Sequence, residues 1–198
     1  DQIRLITGIN DYDFEWVLEP GKDFQTPEAI MGFSQQGLNG MSQVFHKLLR
    51  DRVARGKYQY ADRPIVINNW EATFFDFDDK KLDQIIDEAK PLGIEMFVLD
   101  DGWFGHRNDD NSSLGDWFVN QDKLTGGLKR VADRTHEHGM KFGLWFEPEM
   151  ISVDSKLYKK HPDYALHEPN RGMTLSRNQL VLDFSRKEVV DNIYNQMC

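Results

Sequence analysis

Residues 94–103 read IEMFVLDDGW, an apolar run that ends in two carboxylates, a glycine and an indole. The run from Ile94 to Leu99 has the length and composition of a buried β-strand. A helix is predicted just before it, capped by Asp78 or Asp79 and ended near Gly93. The apolar face of that helix consists of Leu82, Ile85, Ile86 and Ala89. A helix therefore leads directly into a strand whose end carries chemistry.

Two other apolar runs end in the same kind of residues. Residues 65–67 lead into Asn68-Asn69-Trp70-Glu71, and residues 140–146 lead into Glu147-Pro148-Glu149, with Trp145 at the end of the run. The later run follows a predicted helix that has Leu128, Val131 and Ala132 on its inward face and Gly139 as its stop signal. Strands that alternate with helices predict a parallel sheet, in which all the carboxyl ends lie at one edge. We expect a site at that edge.

A further apolar run, LVLDF at 180–184, follows an irregular stretch. Ser185 and Glu188 have the spacing of a capping box and predict that a helix begins there and continues to Met197.

The fold class follows from the strand ends and from a missing motif. No strand is followed by the glycine-rich phosphate loop of a doubly wound nucleotide-binding fold, so a (β/α)8 barrel is preferred. Such a barrel takes about 200 residues or more. Either the chain is a fragment of a longer polypeptide or the fold is smaller, because only about half of such a barrel can be formed by residues 63–198. Before them, an amphipathic helix from Gly40 makes 34–62 a linker helix region, and 1–33 is interpreted as the end of a β-rich domain.

Composition excludes several classes of protein. The chain has 24 Lys and Arg against 33 Asp and Glu, for a net charge of −9, which argues against a nucleic-acid partner. It lacks the roughly 18 to 20 consecutive apolar residues of a membrane span, so no membrane association is expected. Cys198 is the one cysteine, so the chain can form no internal disulfide and no thiolate metal cluster. We therefore expect a cytoplasmic protein without a metal site.

Five motifs in order closely resemble the α-galactosidases of glycoside hydrolase family 36. They are RPIVINNWEAT at 63–73, FVLDDGWFG at 97–105, LGDW at 114–117, GLWFEPEM at 143–150 and LDFS at 182–185. LEPG at 18–21, TPE at 26–28 and GMS at 40–42 are similar to that family's junction between an N-terminal β-sandwich and the barrel. The resemblance implies that the chain is a fragment. It would comprise the end of the sandwich at 1–33, a linker helix region at 34–62 and the N-terminal half of the catalytic (β/α)8 barrel at 63–198.

The resemblance also implies an activity. Enzymes of this family remove terminal α-1,6-linked D-galactose from melibiose and raffinose-type oligosaccharides with retention of configuration. By resemblance the galactose-binding residues are Trp70, Asp100, Asp101, Trp145 and Arg177. The family's nucleophile and acid/base lie in motifs that residues 1–198 lack, so no catalytic residue is expected in this chain, and the isolated chain is expected to be inactive. The resemblance further implies no cofactor, a small-molecule α-galactoside as the partner, and a full-length homo-oligomer such as a tetramer.

Read without the family, these residues leave alternatives open. Asp100 and Asp101 would point to opposite faces of a regular strand. At a strand end that turns at Gly102, both can accept hydrogen bonds from neighbouring sugar hydroxyls. Otherwise one of them is a turn aspartate. Each indole is either a stacking wall or core, and Arg177 is either a sugar clamp or a surface charge. Glu147 and Glu149 are an alternative acid/base pair.

Two other functions remain open at this stage. One is a non-catalytic galactose-binding fragment, and the other is a galactosyl transferase of the raffinose-synthase kind.

Overall fold

A computed structural model describes residues 4–12, 14–173 and 175–198. The chain divides into two compact units, 1–62 and 63–198, which are described separately. In the described part of the chain, no helix combines the length and the apolar character needed to cross a membrane.

The first unit contains one long helix. This helix, α1, spans Gly37–Leu48 and continues as a π-helical turn over Leu49–Val53, and Gly56–Tyr58 forms a 3-10 turn. The predicted helix is therefore present, but none of its residues is buried within the described chain. The described residues of 4–33 include no strand, so a β-sandwich end at 1–33 stays a prediction.

The second unit alternates strands and helices. In chain order its elements are β1 (Val66–Asn68), α2 (Trp70–Thr73), α3 (Asp79–Ala89), β2 (Met96–Leu99), α4 (Gly127–Glu137), β3 (Lys141–Leu144), β4 (Met150–Ser152), α5 (Lys156–Lys160), β5 (Gln179–Val181) and α6 (Lys187–Met197). Short 3-10 turns cover Lys90–Leu92 and Pro162–Tyr164.

Strands β1, β2 and β3 form a parallel sheet in that order. The register pairs Ile67 with Phe97 and Phe97 with Phe142, so the three strands end almost level with one another. Phe97 and Leu99 in the central strand are completely buried. The predicted parallel arrangement is therefore confirmed, and the carboxyl ends of the strands lie side by side.

Helices α3 and α4 lie against each other and supply part of the core. α3 buries Leu82, Ile86 and Ala89, three of the four predicted core residues, and α4 buries Val131. Asp78 is the N-cap of α3, where its side chain accepts a hydrogen bond from the backbone N–H of Lys81 at 2.8 Å. The predicted aspartate cap at the start of α3 is therefore confirmed.

The last apolar run contains the strand β5. This strand pairs antiparallel with β4 and does not join the parallel sheet. The predicted capping box at Ser185 is wrong, since Arg186 is the N-cap of α6 and makes no side-chain capping bond. The Ser185 hydroxyl instead donates to Asp183 Oδ1 at 2.6 Å. A nearby carboxylate competes with the helix for a serine side chain, which the capping pattern alone does not reveal.

The packing of α3 gives a stability prediction. Ile86 is completely buried, whereas Leu92 is 78% exposed in the turn that follows the same helix. Ile86→Ala is expected to lower the free energy of unfolding by about 2–5 kcal/mol because it leaves a cavity in the core. The matched control Leu92→Ala is expected to change it by no more than about 0.5 kcal/mol. Urea unfolding of the 198-residue chain, followed by tryptophan fluorescence, measures both, and equal losses would contradict the assigned core.

Candidate functional site

Two asparagines join the end of β1 to the end of β2. The buried Asn69 accepts a hydrogen bond on its side-chain oxygen from the backbone N–H of Asp100 at 2.8 Å. Asn68 donates from its side-chain nitrogen to Asp100 Oδ2 and accepts from the backbone N–H of Trp70 at 2.7 Å. Trp70 and Asp100 are thereby fixed relative to each other although they are 30 positions apart in the sequence.

Asp101 forms a buried ion pair with Arg107. The arginine is completely buried and the aspartate is 5% exposed. Arg107 Nε donates to Asp101 Oδ1 at 2.8 Å and Nη2 donates to Oδ2 at 2.7 Å, while Nη1 donates to the carbonyl of Ser112 at 2.8 Å. This two-point pairing fixes the plane of the carboxylate. A carboxylate has about four acceptor sites, and Arg107 uses two of them.

The two predicted stacking indoles are half-buried and held by other aromatic rings. Trp70 contacts Phe74 and Phe75 edge-on, with ring centroids 5.3 and 5.0 Å apart. Trp145 is stacked against Phe104 at 6.4 Å, and its backbone N–H donates to the carbonyl of Leu99 at 2.9 Å. Both residues are partly exposed beside the strand ends.

Trp103 has a different role. It is 1% exposed, and its indole N–H donates to the carbonyl of Trp145 at 3.0 Å. It is therefore a core residue that supports Trp145.

Arg177 is exposed and pairs with a loop carboxylate. Its guanidinium donates to Asp110 Oδ1 at 3.0 Å, which brings residues 175–178 to the loop that contains Arg107. Its φ of 52° lies in the left-handed region, which is uncommon for a residue other than glycine. The structure therefore places Arg177 beside the loop that follows β2, on a strained turn.

Glu147 lies within the influence of the same charges. Burial, followed by the nearby Glu149, raises the pKa of Glu147, while Arg177 and Arg107 act to lower it. Glu149 itself is exposed. A raised pKa is typical of a general acid. The alternative acid/base pair of Glu147 and Glu149 stays a prediction.

Lys123 is a site residue that sequence reasoning missed. Its ammonium donates to the carbonyls of Phe75 at 2.8 Å, Gly102 at 3.0 Å and Arg107 at 3.0 Å. Burial lowers the pKa of Lys123 to about 8, against the opposing effects of Asp101 and Asp76. Nothing in the sequence around Lys123 distinguishes it from other loop lysines.

A serine, a histidine and an aspartate form a hydrogen-bonded row next to the site. Ser113 Oγ lies 2.9 Å from His106 Nδ1, and His106 Nε2 lies 2.6 Å from Asp154 Oδ2. Ser113 is completely buried and also accepts from the backbone N–H of His106 at 3.0 Å. Because a hydrolytic serine must reach its substrate, this row connects two loops and is not a nucleophile with its base.

A surface cavity of about 380 Å³ lies elsewhere, along α4. It is lined by Gly126, Lys129, Arg130, Asp133, Arg134 and Glu137. None of these residues follows a strand end, and the cavity is bordered mostly by solvated charges. The described residues include no cluster of His, Cys, Asp and Glu suited to a metal ion.

The ion pair of Asp101 gives a second prediction. Arg107→Met leaves a buried carboxylate without its partner and is expected to lower the free energy of unfolding by about 3–5 kcal/mol. The control Arg134→Met removes a partly exposed arginine that contacts Asp87 at 2.5 Å. It is expected to lower the free energy of unfolding by about 1 kcal/mol or less. Denaturant unfolding of both variants checks this, and similar losses would show that the buried pair has no special role.

The chain matches the family model described as Melibiase over residues 23–198. It is 61% identical over 196 residues to alpha-galactosidase Mel36A of Lactobacillus acidophilus, and the match covers 99% of this chain and 27% of that protein. The crystal structure of GH36 alpha-galactosidase AgaB from Geobacillus stearothermophilus has a TM-score of 0.84 and 58% identity, and the match covers 96% of this chain and 26% of that one. An AgaA variant from the same organism, in complex with raffinose, has a TM-score of 0.85 and 57% identity over the same shares.

The chain thus spans about a quarter of the length of the relatives that it matches. The resemblance found in the motifs is confirmed over nearly the whole chain, with relatives that are α-galactosidases of glycoside hydrolase family 36. The chain belongs to the melibiase family.

Proposed function

We propose that this chain is the sugar-recognising part of an α-galactosidase that removes terminal α-1,6-linked D-galactose from melibiose and raffinose-type oligosaccharides with retention. The observation that carries the proposal is the juxtaposition of Trp70, Asp100, Asp101 and Trp145 at the ends of three adjacent parallel strands. The relatives support it, because they are α-galactosidases and one of them binds raffinose.

In this proposal the carboxylates and indoles have separate roles. Asp100 and Asp101 accept hydrogen bonds from two neighbouring galactose hydroxyls, such as O4 and O6. Charge-assisted hydrogen bonds of this kind are shorter and stronger than neutral ones. Trp70 and Trp145 cover the C–H faces of the sugar ring, since aromatic faces provide apolar contact with directional preference. Arg177 clamps a further hydroxyl, for which it must share or leave its pairing with Asp110.

Bond cleavage needs groups that we assign to a longer polypeptide. A retaining glycosidase places two carboxyls about 5–5.5 Å apart on opposite sides of the scissile bond. Asp100 and Asp101 are consecutive and already joined, because the backbone N–H of Asp101 donates to Asp100 Oδ1 at 2.7 Å. We therefore propose that no residue of this chain is the nucleophile or the acid/base and that the isolated chain is inactive.

The proposed architecture follows the same reasoning. Strands β1, β2 and β3 are the first strands of a (β/α)8 barrel, with 1–33 as the end of a β-sandwich and 34–62 as a linker helix region. Barrel enzymes place their active sites at the carboxyl ends of the strands, which is where these residues lie. We also propose a cytoplasmic homo-oligomer without a metal or cofactor, and without a nucleic-acid or membrane partner.

A chimera provides the test of activity. Residues 1–198 replace the aligned segment of Mel36A, to which they are 61% identical, so that the rest of that enzyme supplies the missing part. We expect the chimera to hydrolyse an aryl α-galactoside and raffinose. A folded chimera that cleaves neither would contradict the proposal. Product analysis with sucrose as the acceptor distinguishes hydrolysis from galactosyl transfer.

The role of the strand-end carboxylate is tested in the same chimera. Asp100→Ala is expected to lower kcat/KM about 100-fold, because it removes a charged acceptor for a sugar hydroxyl. The control is Asp133→Ala, which removes an exposed aspartate that pairs with Lys129 on α4. Steady-state kinetics measure kcat/KM for both variants. Equal kcat/KM values would show that Asp100 does not bind the substrate.

A further inference from the structure

We propose that Lys123 is the positioning residue that holds the loop after β1 and the loop after β2 together, so that Trp70 and Asp101 face the same sugar. This inference rests on the proposed function, because it explains how that site keeps its shape.

The contacts of Lys123 join the two loops directly. One of its acceptors, the carbonyl of Phe75, belongs to the loop after β1. The other two, the carbonyls of Gly102 and Arg107, belong to the loop after β2. Sheet hydrogen bonds hold the strands themselves, but they end at Asn68 and Leu99. Beyond those residues, Lys123 is a bridge between the loops.

Each acceptor belongs to a residue that adjoins or contacts a proposed galactose-binding side chain. The ring of Phe75 lies edge-on to Trp70, with centroids 5.0 Å apart. Gly102 directly follows Asp101, and the side chain of Arg107 holds both carboxylate oxygens of Asp101. A shift of Lys123 would therefore reach the indole and the carboxylate together.

The geometry calls for an ammonium group at this place. Three carbonyls surround one nitrogen, and an ammonium has three N–H donors that match them, whereas a neutral amine has two and a planar guanidinium directs its donors in a fork. The ammonium also lies 4.7 Å from the centre of the Phe77 ring, a cation–π contact. Gly102 has a φ of +99°, and a Cβ there would lie 3.3 Å from Lys123 Nζ and 3.0 Å from the Phe75 ring. The ammonium of Lys123 therefore packs closely against Gly102, where a side chain would crowd it.

The charge of Lys123 supports the same role. Asp101 and Asp76 face the ammonium and favour its charged form, but burial outweighs them, so that the pKa of Lys123 is about 8. The third hydrogen bond is therefore lost in mildly alkaline solution, where the amine becomes neutral.

The test compares Lys123→Met with Lys129→Met in the chimera described above. Lys123→Met keeps an unbranched side chain, one heavy atom shorter, but removes its donors. We expect KM for an aryl α-galactoside to rise about 10-fold while kcat changes less than about threefold. Lys129→Met removes a lysine whose side chain is 85% exposed, and both constants should stay unchanged. An unchanged KM would overturn the proposal. So would a loss of activity that comes only from a smaller fraction of active enzyme.

A pH profile supplies a readout that needs no folded variant. In the chimera with Lys123 present, KM for this uncharged substrate should rise between about pH 7 and 9 as the ammonium loses its proton. KM of Lys123→Met should be high and flat over that range. A flat KM with Lys123 present would contradict the proposal even if Lys123→Met does not fold.

Hydrogen exchange separates this proposal from the proposed function. In the 198-residue chain, Lys123→Met should accelerate amide exchange in 70–77 and 101–107 together and leave α4 unchanged. An inactive chimera would contradict the proposed activity, and the exchange result would still decide whether Lys123 joins the loops. Acceleration in only one loop, or in neither, would overturn the inference.

Discussion

The site depends on the parallel register of three short strands. Because β1, β2 and β3 run in one direction and end almost level, the residues after each strand arrive at one edge of the sheet. The asparagines at the end of β1 then bind Asp100 after β2, and Trp145 after β3 donates to the carbonyl of Leu99. A slip of the register would separate Trp70 from Asp100 and Trp145 from Leu99. The sheet is therefore the constraint that brings indoles and carboxylates together.

Beyond the strands, buried polar groups add to the aromatic contacts that hold the loops. Arg107 fixes Asp101, Lys123 connects the loops after β1 and β2, and the row of Ser113, His106 and Asp154 connects the loop after β2 to the segment after β4. Buried polar groups of this kind destabilise a protein unless each one has a partner. Complete pairing favours one arrangement of these loops, which the proposed sugar site requires.

Much of the framework could be predicted from the sequence, because it depends on local patterns. The helix face of α3, its Asp78 cap and the parallel order of the strands all follow from apolar spacing and turn chemistry. The antiparallel pairing of β5 with β4 could not be predicted, since it depends on a chain reversal of irregular length. The capping box failed for a similar reason: Asp183 competes for the Ser185 hydroxyl, and the pattern does not encode that competition.

The site itself was predictable only in part. Trp70, Asp100, Asp101 and Trp145 follow strand ends, and a strand end is visible in a sequence. Arg107 and Lys123 were not found, because their roles come from burial and from carbonyls brought together by folding. Arg177 contacts Asp110 in the neighbouring loop because its backbone is left-handed, which its sequence does not predict. Contacts of this kind depend on the folded positions of the loops and cannot be predicted from the sequence.

The most direct test of the central claim is a crystal structure of the chimera with D-galactose bound. The account predicts that Asp100 and Asp101 accept hydrogen bonds from two sugar hydroxyls at about 2.6–3.0 Å and that Trp70 or Trp145 lies against a C–H face of the ring. Galactose bound with none of these residues in contact would contradict it.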